Sequence, residues 1–366
     1  MEVMVVMVKK SSKQEQAVAY LTAYIEENQL KAGDRLPTEW ELAQTLEVSR
    51  TTVQGALRKL VESGAAYNRK GYGTYVAGAG QKEGLSLPLV IADQRETTGG
   101  FEYIRGAQAY LGERNGQLLM HCTNGRLEDE QRLVTELVEK GAKRLLVLPI
   151  SSTTSGAFYQ RMMDEQGVRF VFIDKRPQGV HSDYVCCDNV RGGYLATEHL
   201  IRKGHTRIGF VAASLFSASS RLQRFLGYSM ALEAYGLSME PSLIRTEDEG
   251  SENGEAVLRM MGLPQPPTAI FAVSDGLAMT CITTLIVAGY KVPEEVSVVG
   301  FDGLPFFSTG SLRLTSVRQP FYAVGYQAAR LACEPYTRAG EASTCLMLPV
   351  ELLEQDTVKE ISPANS

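Results

Sequence analysis

Between positions 50 and 73 the chain places Arg50, Arg58, Lys59, Arg69 and Lys70 against Glu62 alone. That is a local excess of +4 on a protein whose formal net charge is −5. Such a cluster suits phosphate oxygens, the dominant electrostatic feature of nucleic acid. Hydroxyls stand beside it at Ser49, Thr51 and Thr52, and these too can bond phosphates. Arg50 has the reach for a bidentate contact with guanine, and Gln54 has the amide that suits adenine. A second polar set lies at the ends of apolar runs: Asp174 with Arg176, the pair Ser274-Asp275, and Asp302. Ser220 and Arg224 sit near the start of the helical segment that contains Gly227. This second set suits a polyol, because each buried hydroxyl left unpaired costs about 1–3 kcal/mol. The alternative for Arg224 and Asp275 is an ion pair bridging two lobes, and for Asp302 a simple strand end.

Neither set is a reaction centre. The chain has no Gly-x-x-x-x-Gly-Lys-Ser/Thr and no Gly-x-Ser-x-Gly. Gly71-Tyr72-Gly73 lacks the third glycine of a dinucleotide loop and precedes a strand pattern, not a helix. Four histidines are scattered, and six cysteines (122, 186, 187, 281, 333, 345) show no Cys-x-x-Cys spacing. The cysteines are expected to be buried reduced thiols, and no metal or other cofactor is expected. A nucleotide-dependent sugar enzyme and a transport solute-binding protein are the alternatives; motif absence argues against the first and a missing secretion signal against the second.

The elements that would carry these residues follow from periodicity. Gln14–Asn28 has a helical apolar stripe. Thr38 and Glu41 form a capping box that opens a short helix through Leu46. Ser49 is an N-cap for a helix over Arg50–Ser63, with Gly64 placed to end it. Residues 65–76 read as a hairpin whose tip carries Arg69 and Lys70. Two short helices joined by a turn and followed by a hairpin make a winged helix-turn-helix, whose second helix can enter the DNA major groove. Gly55 costs this helix about 1 kcal/mol relative to Ala, which suggests a close approach to DNA or to the first helix.

Beyond the small, polar stretch 77–84 the pattern changes. Apolar runs at 87–92, 117–123, 144–150, 169–174, 208–213, 269–274 and 297–302 alternate with helix-length segments at 128–140, 192–203 and 277–288. Continuous apolar runs suit strands buried on both faces. Their alternation with helices gives the expected fold class: α/β, an N-terminal winged helix-turn-helix plus a two-lobed, doubly wound parallel-sheet domain. The chain of 366 residues is 44% hydrophobic and 22% charged, long enough for such cores without a disulfide or metal staple. No apolar run approaches the roughly 20 residues that span a membrane. The six apolar residues before Lys9-Lys10 are too few for a signal peptide, so a cytoplasmic location and no membrane partner are expected.

The first module resembles the winged-helix domain of the GntR family of bacterial repressors. The resemblance rests on Leu36-Pro37-Thr38-Glu39-x-x-Leu42-Ala43, Val48-Ser49-Arg50-Thr51-Thr52-Val53, Ala56-Leu57-x-x-Leu60 and Gly71-x-Gly73-Thr74-Tyr75-Val76. It implies that Arg35, Thr38, Ser49, Arg50, Thr51, Thr52 and Gln54 contact operator DNA, and that Arg69, Lys70, Gly71 and Gly73 of the wing do so as well. Family members often carry Arg at the position of Gln54 and a bulkier residue at Gly55.

The second module is similar to the effector-binding domain of LacI-type repressors, itself like periplasmic sugar-binding proteins. Its motifs run in order from Ile104-Arg105-Gly106 through Phe172-Ile173-Asp174-x-Arg176-Pro177, Asp188-Asn189-x-x-Gly192-Gly193 and Arg224-x-x-Gly227-Tyr228. Ala272-x-Ser274-Asp275, Val299-Gly300-Phe301-Asp302-Gly303 and Leu314–Pro320 complete them. The fusion has the architecture of AraR-like arabinose repressors. The resemblance implies an effector pocket at Asp174, Arg176, Ser220, Arg224, Ser274, Asp275, Asp302 and Gln319, with Phe101 and Phe321 as stacking aromatics. Gly303 stands where a second Asp is common.

The expected domains are a winged helix over 12–78, a linker over 79–86 and a sensor over 87–355. Lobe 1 is expected at about 87–189 and 319–345, and lobe 2 at about 190–318 and 346–355. The expected partners are operator DNA, a mono- or oligosaccharide effector and a second copy of the chain. Release from DNA by the sugar is expected over corepression.

Overall fold

A computed structural model describes residues 12–31, 33–69, 73–76, 85–91, 99–123, 125–150, 155–215, 218–247, 253–305, 308–309, 312–334 and 343–361. It divides into two compact units, Met1–Ser86 and Leu87–Ser366. Among the described residues no helix is long and apolar enough to cross a membrane.

The first unit holds helices α1 (Lys13–Glu27), α2 (Glu39–Thr45) and α3 (Arg50–Glu62), then strands β1 (Ala66–Arg69) and β2 (Gly73–Val76). Each helix starts where a hydroxyl accepts a backbone N–H: Ser12, Thr38 and Ser49 are the three N-caps. The antiparallel hairpin pairs Tyr67 with Tyr75, whose rings stack at 5.7 Å. Leu21, Leu36, Leu42, Val53, Leu60 and Val76 meet in one small core. Gly55 answers to the first helix: a Cβ there would lie 2.4 Å from Gln14 Nε2.

In the second unit the strands are β3 (Ser86–Ile91), β4 (Gln117–Cys122), β5 (Arg144–Leu148), β6 (Arg169–Ile173), β7 (Asp183–Cys187), β8 (Ile208–Ala213), β9 (Ile244–Glu247), β10 (Ala269–Ala272) and β11 (Ser297–Asp302). A two-residue ribbon, β12 (Ser308–Thr309) and β13 (Leu312–Arg313), precedes β14 (Thr315–Arg318), β15 (Cys345–Leu348) and β16 (Glu351–Leu353). They build two six-stranded sheets, ordered β15-β7-β6-β5-β3-β4 and β16-β14-β11-β10-β8-β9. Pairing is parallel along β15-β7-β6-β5-β3 and along β14-β11-β10-β8-β9, and antiparallel between β14 and β16.

The helices that matter for the site are α4 (Gly100–Gly112), α5 (Leu127–Glu139), α6 (Gly156–Gln166), α7 (Asn189–Arg202), α8 (Ser219–Ala234), α9 (Asn253–Met261), α10 (Asp275–Val287) and α11 (Phe321–Cys333). Separate apolar cores lie in the two lobes, around Phe170 and Phe172 in one and Phe210, Phe271 and Phe301 in the other. The chain passes between the sheets after β7, between β14 and α11, and between β15 and β16.

Four expectations need correction. The segment 117–122 is not buried on both faces; it is an edge strand whose residues are all exposed or half-buried, because an edge strand has a neighbour in the sheet on one side only. Strand β15 runs to Leu348 in the first sheet, so the last crossing falls there and not at 345. The fold continues past 355: the Thr357 hydroxyl donates to Val298 O at 2.6 Å, and Ile361 N donates to Lys203 O at 2.8 Å. All six cysteines are free, but only Cys186, Cys187 and Cys281 are buried; Cys122 and Cys345, each on an edge strand, are exposed.

Candidate DNA-reading surface and effector cleft

In the first unit the polar residues cluster at two helix starts. Thr38 Oγ1 accepts from Glu41 N at 3.3 Å while Thr38 N donates to Glu41 Oε2 at 2.7 Å. Those bonds hold the Glu41 carboxyl below its usual range. Ser49 Oγ accepts from Thr52 N at 3.2 Å and lies 3.0 and 2.8 Å from the Thr51 and Thr52 hydroxyls. Glu39 organises the recognition helix from outside it: its Oε2 accepts from Gln54 Nε2 at 2.8 Å and from Arg50 Nη2 at 3.5 Å. The Arg50 and Gln54 side chains are therefore held side by side by one carboxylate.

Arg35 pairs as an isolated bridge with Tyr75, and a Cβ on Gly73 (φ +109) would come within 3.1 Å of Arg35 Nε. Glycine there lets Arg35 lie flat on the wing strand. The single tryptophan, Trp40, is 60% exposed and shares a groove with Arg35, Arg50 and Gly73. Sequence reasoning passed over Trp40 and Glu39; the short capped helix before the recognition helix was the available signal. Arg69 ends strand β1, and Lys70 and Gly71 lie outside the described residues.

The second unit presents a cleft of about 320 Å³ between its two lobes, the size of a small-ligand pocket. Strand C-termini supply its floor, as expected for open α/β sheets. Asp174 follows β6 with φ +61 and Asp302 ends β11 with φ +140. Non-glycine residues held in such conformations cost on the order of 1–3 kcal/mol and cluster at functional sites. Asp174 Oδ1 is buried without a hydrogen-bond partner among the described residues.

Asp302 is engaged on several sides. Its Oδ1 accepts from Gln319 Nε2 at 2.7 Å and lies 3.6 Å from Arg224 Nη1. Burial nevertheless pushes its carboxyl up to about 7, against the pull of Arg224.

Arg224 is fixed by its surroundings. Its Nε donates to Asn189 Oδ1 at 2.8 Å, its Nη1 donates to Val273 O at 2.7 Å, and its guanidinium lies 3.7 Å from the Phe301 ring centre. The glycines of the motifs explain how it gets there. A Cβ on Gly193 would lie 2.1 Å from Arg224 O, and one on Gly227 would lie 2.1 Å from Val190 O. Helices α7 and α8 thus touch backbone to backbone, and that contact sets the depth of Arg224.

The aromatic wall differs from expectation. Phe101 is 67% exposed and stays out of the cleft. Its helix starts at Gly100, so the face toward the cleft carries Tyr103, one helical step further on. Tyr103 packs edge-on against Phe321 at 5.1 Å, and both line the cleft. Burial, with Asp174 next in weight, drives the Tyr103 hydroxyl well above its usual range.

Two further candidates are not brought in. Asp275 has no exposure and lies behind the cleft, accepting from Ser316 Oγ at 2.5 Å and Leu304 N at 2.8 Å. Its proximity to Arg224 is not a lobe-bridging ion pair: the partner is Asp302, in the same lobe. Arg176 points to the Tyr184 ring, 5.6 Å from its centre, and is not in the cleft wall.

Asp174, Ser220, Arg224, Ser274, Asp302, Gln319 and Phe321 do converge there. Lys175, Arg221 and the Gly99-Gly100 pair line it too. Sequence reasoning missed these because a residue next to a motif carries no periodic signal. Among the described residues no group of His, Cys, Asp and Glu is placed to hold a metal.

The two units match two family models. Residues 13–76 match the gntR family of bacterial regulatory proteins, and residues 197–358 match the periplasmic binding protein-like domain. The chain belongs to the bacterial transcriptional repressors of the PurR and LacI type, with a gntR-family unit as its DNA-binding part. The arabinose metabolism transcriptional repressor of Geobacillus stearothermophilus is 28% identical over 93% of this chain and 96% of that protein. The HTH-type transcriptional repressor PurR of Aliivibrio salmonicida is 31% identical over 64% of this chain and 69% of that protein. Among solved structures, the transcriptional regulator CelR–cellobiose complex superposes with a TM-score of 0.67 at 25% identity, covering 88% of this chain and 100% of that one. The chain is a regulator, as these relatives are, and not an enzyme.

Proposed function

We propose that this regulator is a cytoplasmic homodimer that represses transcription by binding a palindromic operator, and that a sugar bound between the lobes of the second unit releases it. Each protomer offers one winged helix to one half-site. Arg50 and Gln54 read base edges, while Arg35, Thr38, Ser49, Thr51, Thr52 and the wing, with Arg69, Lys70, Gly71 and Gly73, position the domain on the backbone.

The observation that carries the effector half is the polar floor closed by an aromatic wall. Asp174 and Asp302 come from different lobes, and Tyr103 with Phe321 can cover the C–H face of a ring. Cellobiose in the CelR complex supports a sugar as the ligand class. A ligand touching both lobes favours the closed arrangement by its differential affinity, and operator affinity changes by the same coupling.

The test is a thermal-shift screen of the full chain against pentoses, hexoses and disaccharides, with their phosphates and acids. A hit is then added to the protein–operator complex. A ligand at 100 times its dissociation constant stabilises by about 2.7 kcal/mol. The expected result is one clear class of hits that also dissociates the DNA. A hit that tightens the DNA complex would overturn release, and silence across the panel would overturn the sugar reading.

A further inference from the structure

Helix α2 opens with two acidic residues that have different partners. Glu41 serves its own helix: its Oε2 accepts from Thr38 N at 2.7 Å and closes the capping box. Glu39, the first residue of α2, stands outside that box. Its Oε2 reaches the recognition helix instead, accepting from Gln54 Nε2 at 2.8 Å and from Arg50 Nη2 at 3.5 Å. Positions 50 and 54 are one turn apart and share a face of α3. A carboxylate works against affinity on a surface that meets phosphates, and an exposed ion pair returns little stability. The effect left to Glu39 is orientation.

A carboxylate accepts hydrogen bonds and has none to give, whereas an amide can do either. Gln54 must therefore turn its NH2 group toward Glu39, which leaves its Oε1 directed elsewhere and without a partner among the described residues. One of its two amide N–H groups is taken. What remains for a base is one donor and one acceptor. Adenine offers the matching pair in the major groove, the N7 acceptor and the N6 donor. Guanine offers two acceptors, N7 and O6, and would need both amide N–H groups of Gln54.

We infer that Glu39 is a positioning residue that makes Gln54 select adenine over guanine in the operator half-site. It touches no base and acts through the amide it holds. This rests on the DNA reading proposed above and deepens it.

The experiment is selection of duplexes from a random DNA library by the full chain, with wild type, Gln54→Ala, Glu39→Ala and Glu39→Gln run in parallel. The base position whose preference disappears in Gln54→Ala is the one that Gln54 reads. Affinities are then measured on the selected duplex and on a copy carrying guanine for adenine there. Wild type is expected to prefer adenine by about tenfold or more, and both Glu39 variants to fall to within about threefold. Glu39→Gln keeps the shape of the side chain, but its amide can donate as well as accept, so it no longer fixes Gln54. The other positions should keep their bases, and the melting temperature should not move. If Glu39 acts by charge alone, both variants bind every duplex more tightly by one common factor and keep the adenine preference, which overturns the inference. A wild-type preference for guanine at that position overturns it too, as does a Gln54→Ala variant that loses no position. Each of these leaves the repressor reading standing. A wild-type chain that enriches no sequence overturns both.

Discussion

The two units place their functional polar residues in opposite environments. In the DNA-reading unit, Arg50 and Glu39 meet at 3.5 Å with side chains 67% and 37% exposed. In the cleft, Arg224 and Asp302 meet at nearly the same distance, 3.6 Å, with side chains 7% and 15% exposed. The first pair contributes little to stability, because exposed ion pairs are worth about 0–1 kcal/mol. Breaking the second leaves a buried charge without its partner, which costs about 3–5 kcal/mol. The first surface can therefore change Arg50 at little cost to stability, whereas the cleft pair is part of the fold that holds it.

The largest effect that would break this contrast is at the α7–α8 crossing. Gly193→Ala forces a Cβ to 2.1 Å from a backbone carbonyl. It is expected to lower stability by several kcal/mol in chemical denaturation, in the range of severe core mutations. Arg224→Ala comes next, with an expected loss of about 3 kcal/mol and no ligand response. A full ligand response in that variant would remove Arg224 from the effector site.

Arg50→Ala should leave the melting temperature within a degree or two. It should weaken operator binding by about 1–3 kcal/mol, as loss of a bidentate base contact does. Because Trp40 is the only tryptophan, its fluorescence can follow that titration without labels. If Arg50→Ala unfolds the unit, the comparison fails.

Acidity separates the units as well. The Asp302 carboxyl is raised to about 7 by burial, so folding favours its protonated form. Its contribution is complete below the unfolded carboxylate value, roughly 4, and falls away as pH rises through 7. The ligand-free second unit should lose stability between about pH 4 and about pH 7 and level off above that, and Asp302→Asn should flatten that slope in calorimetry. Smallest of all is Gly55→Ala, where the clash is with the movable end of Gln14. The gain in helix propensity of about 1 kcal/mol should nearly offset it, leaving stability within about 0.5 kcal/mol.

The same contrast governs how much was legible beforehand. Caps, turns and the hairpin of the first unit are local, so Thr38, Ser49 and the 65–76 hairpin can be read off neighbours in the chain. In the second unit the alternation of runs and helices was readable, along with Asp174, Arg224 and Asp302 at their ends. The facing of side chains was not. Phe101 and Tyr103 differ by two positions on one helix, and only the packing of α4 on α11 decides which ring meets Phe321. Strands β14 to β16 are three or four residues long, too short for periodicity to mark. Asp275 shares its motif with Ser274, yet the turn into α10 sends one to the cleft and the other behind it.

The interleaved path of the last strands also sets an order of birth. Neither large sheet has all its strands until β15 and β16 have been made, whereas the winged helix is complete by Val76. At synthesis rates of roughly 5–20 residues per second, the DNA-reading unit stands finished on the ribosome for tens of seconds before the sensor that will govern it can close its sheets. Each new molecule passes through a stage that can hold a reading head but no response, and a chain truncated before Cys345 would stay in that stage.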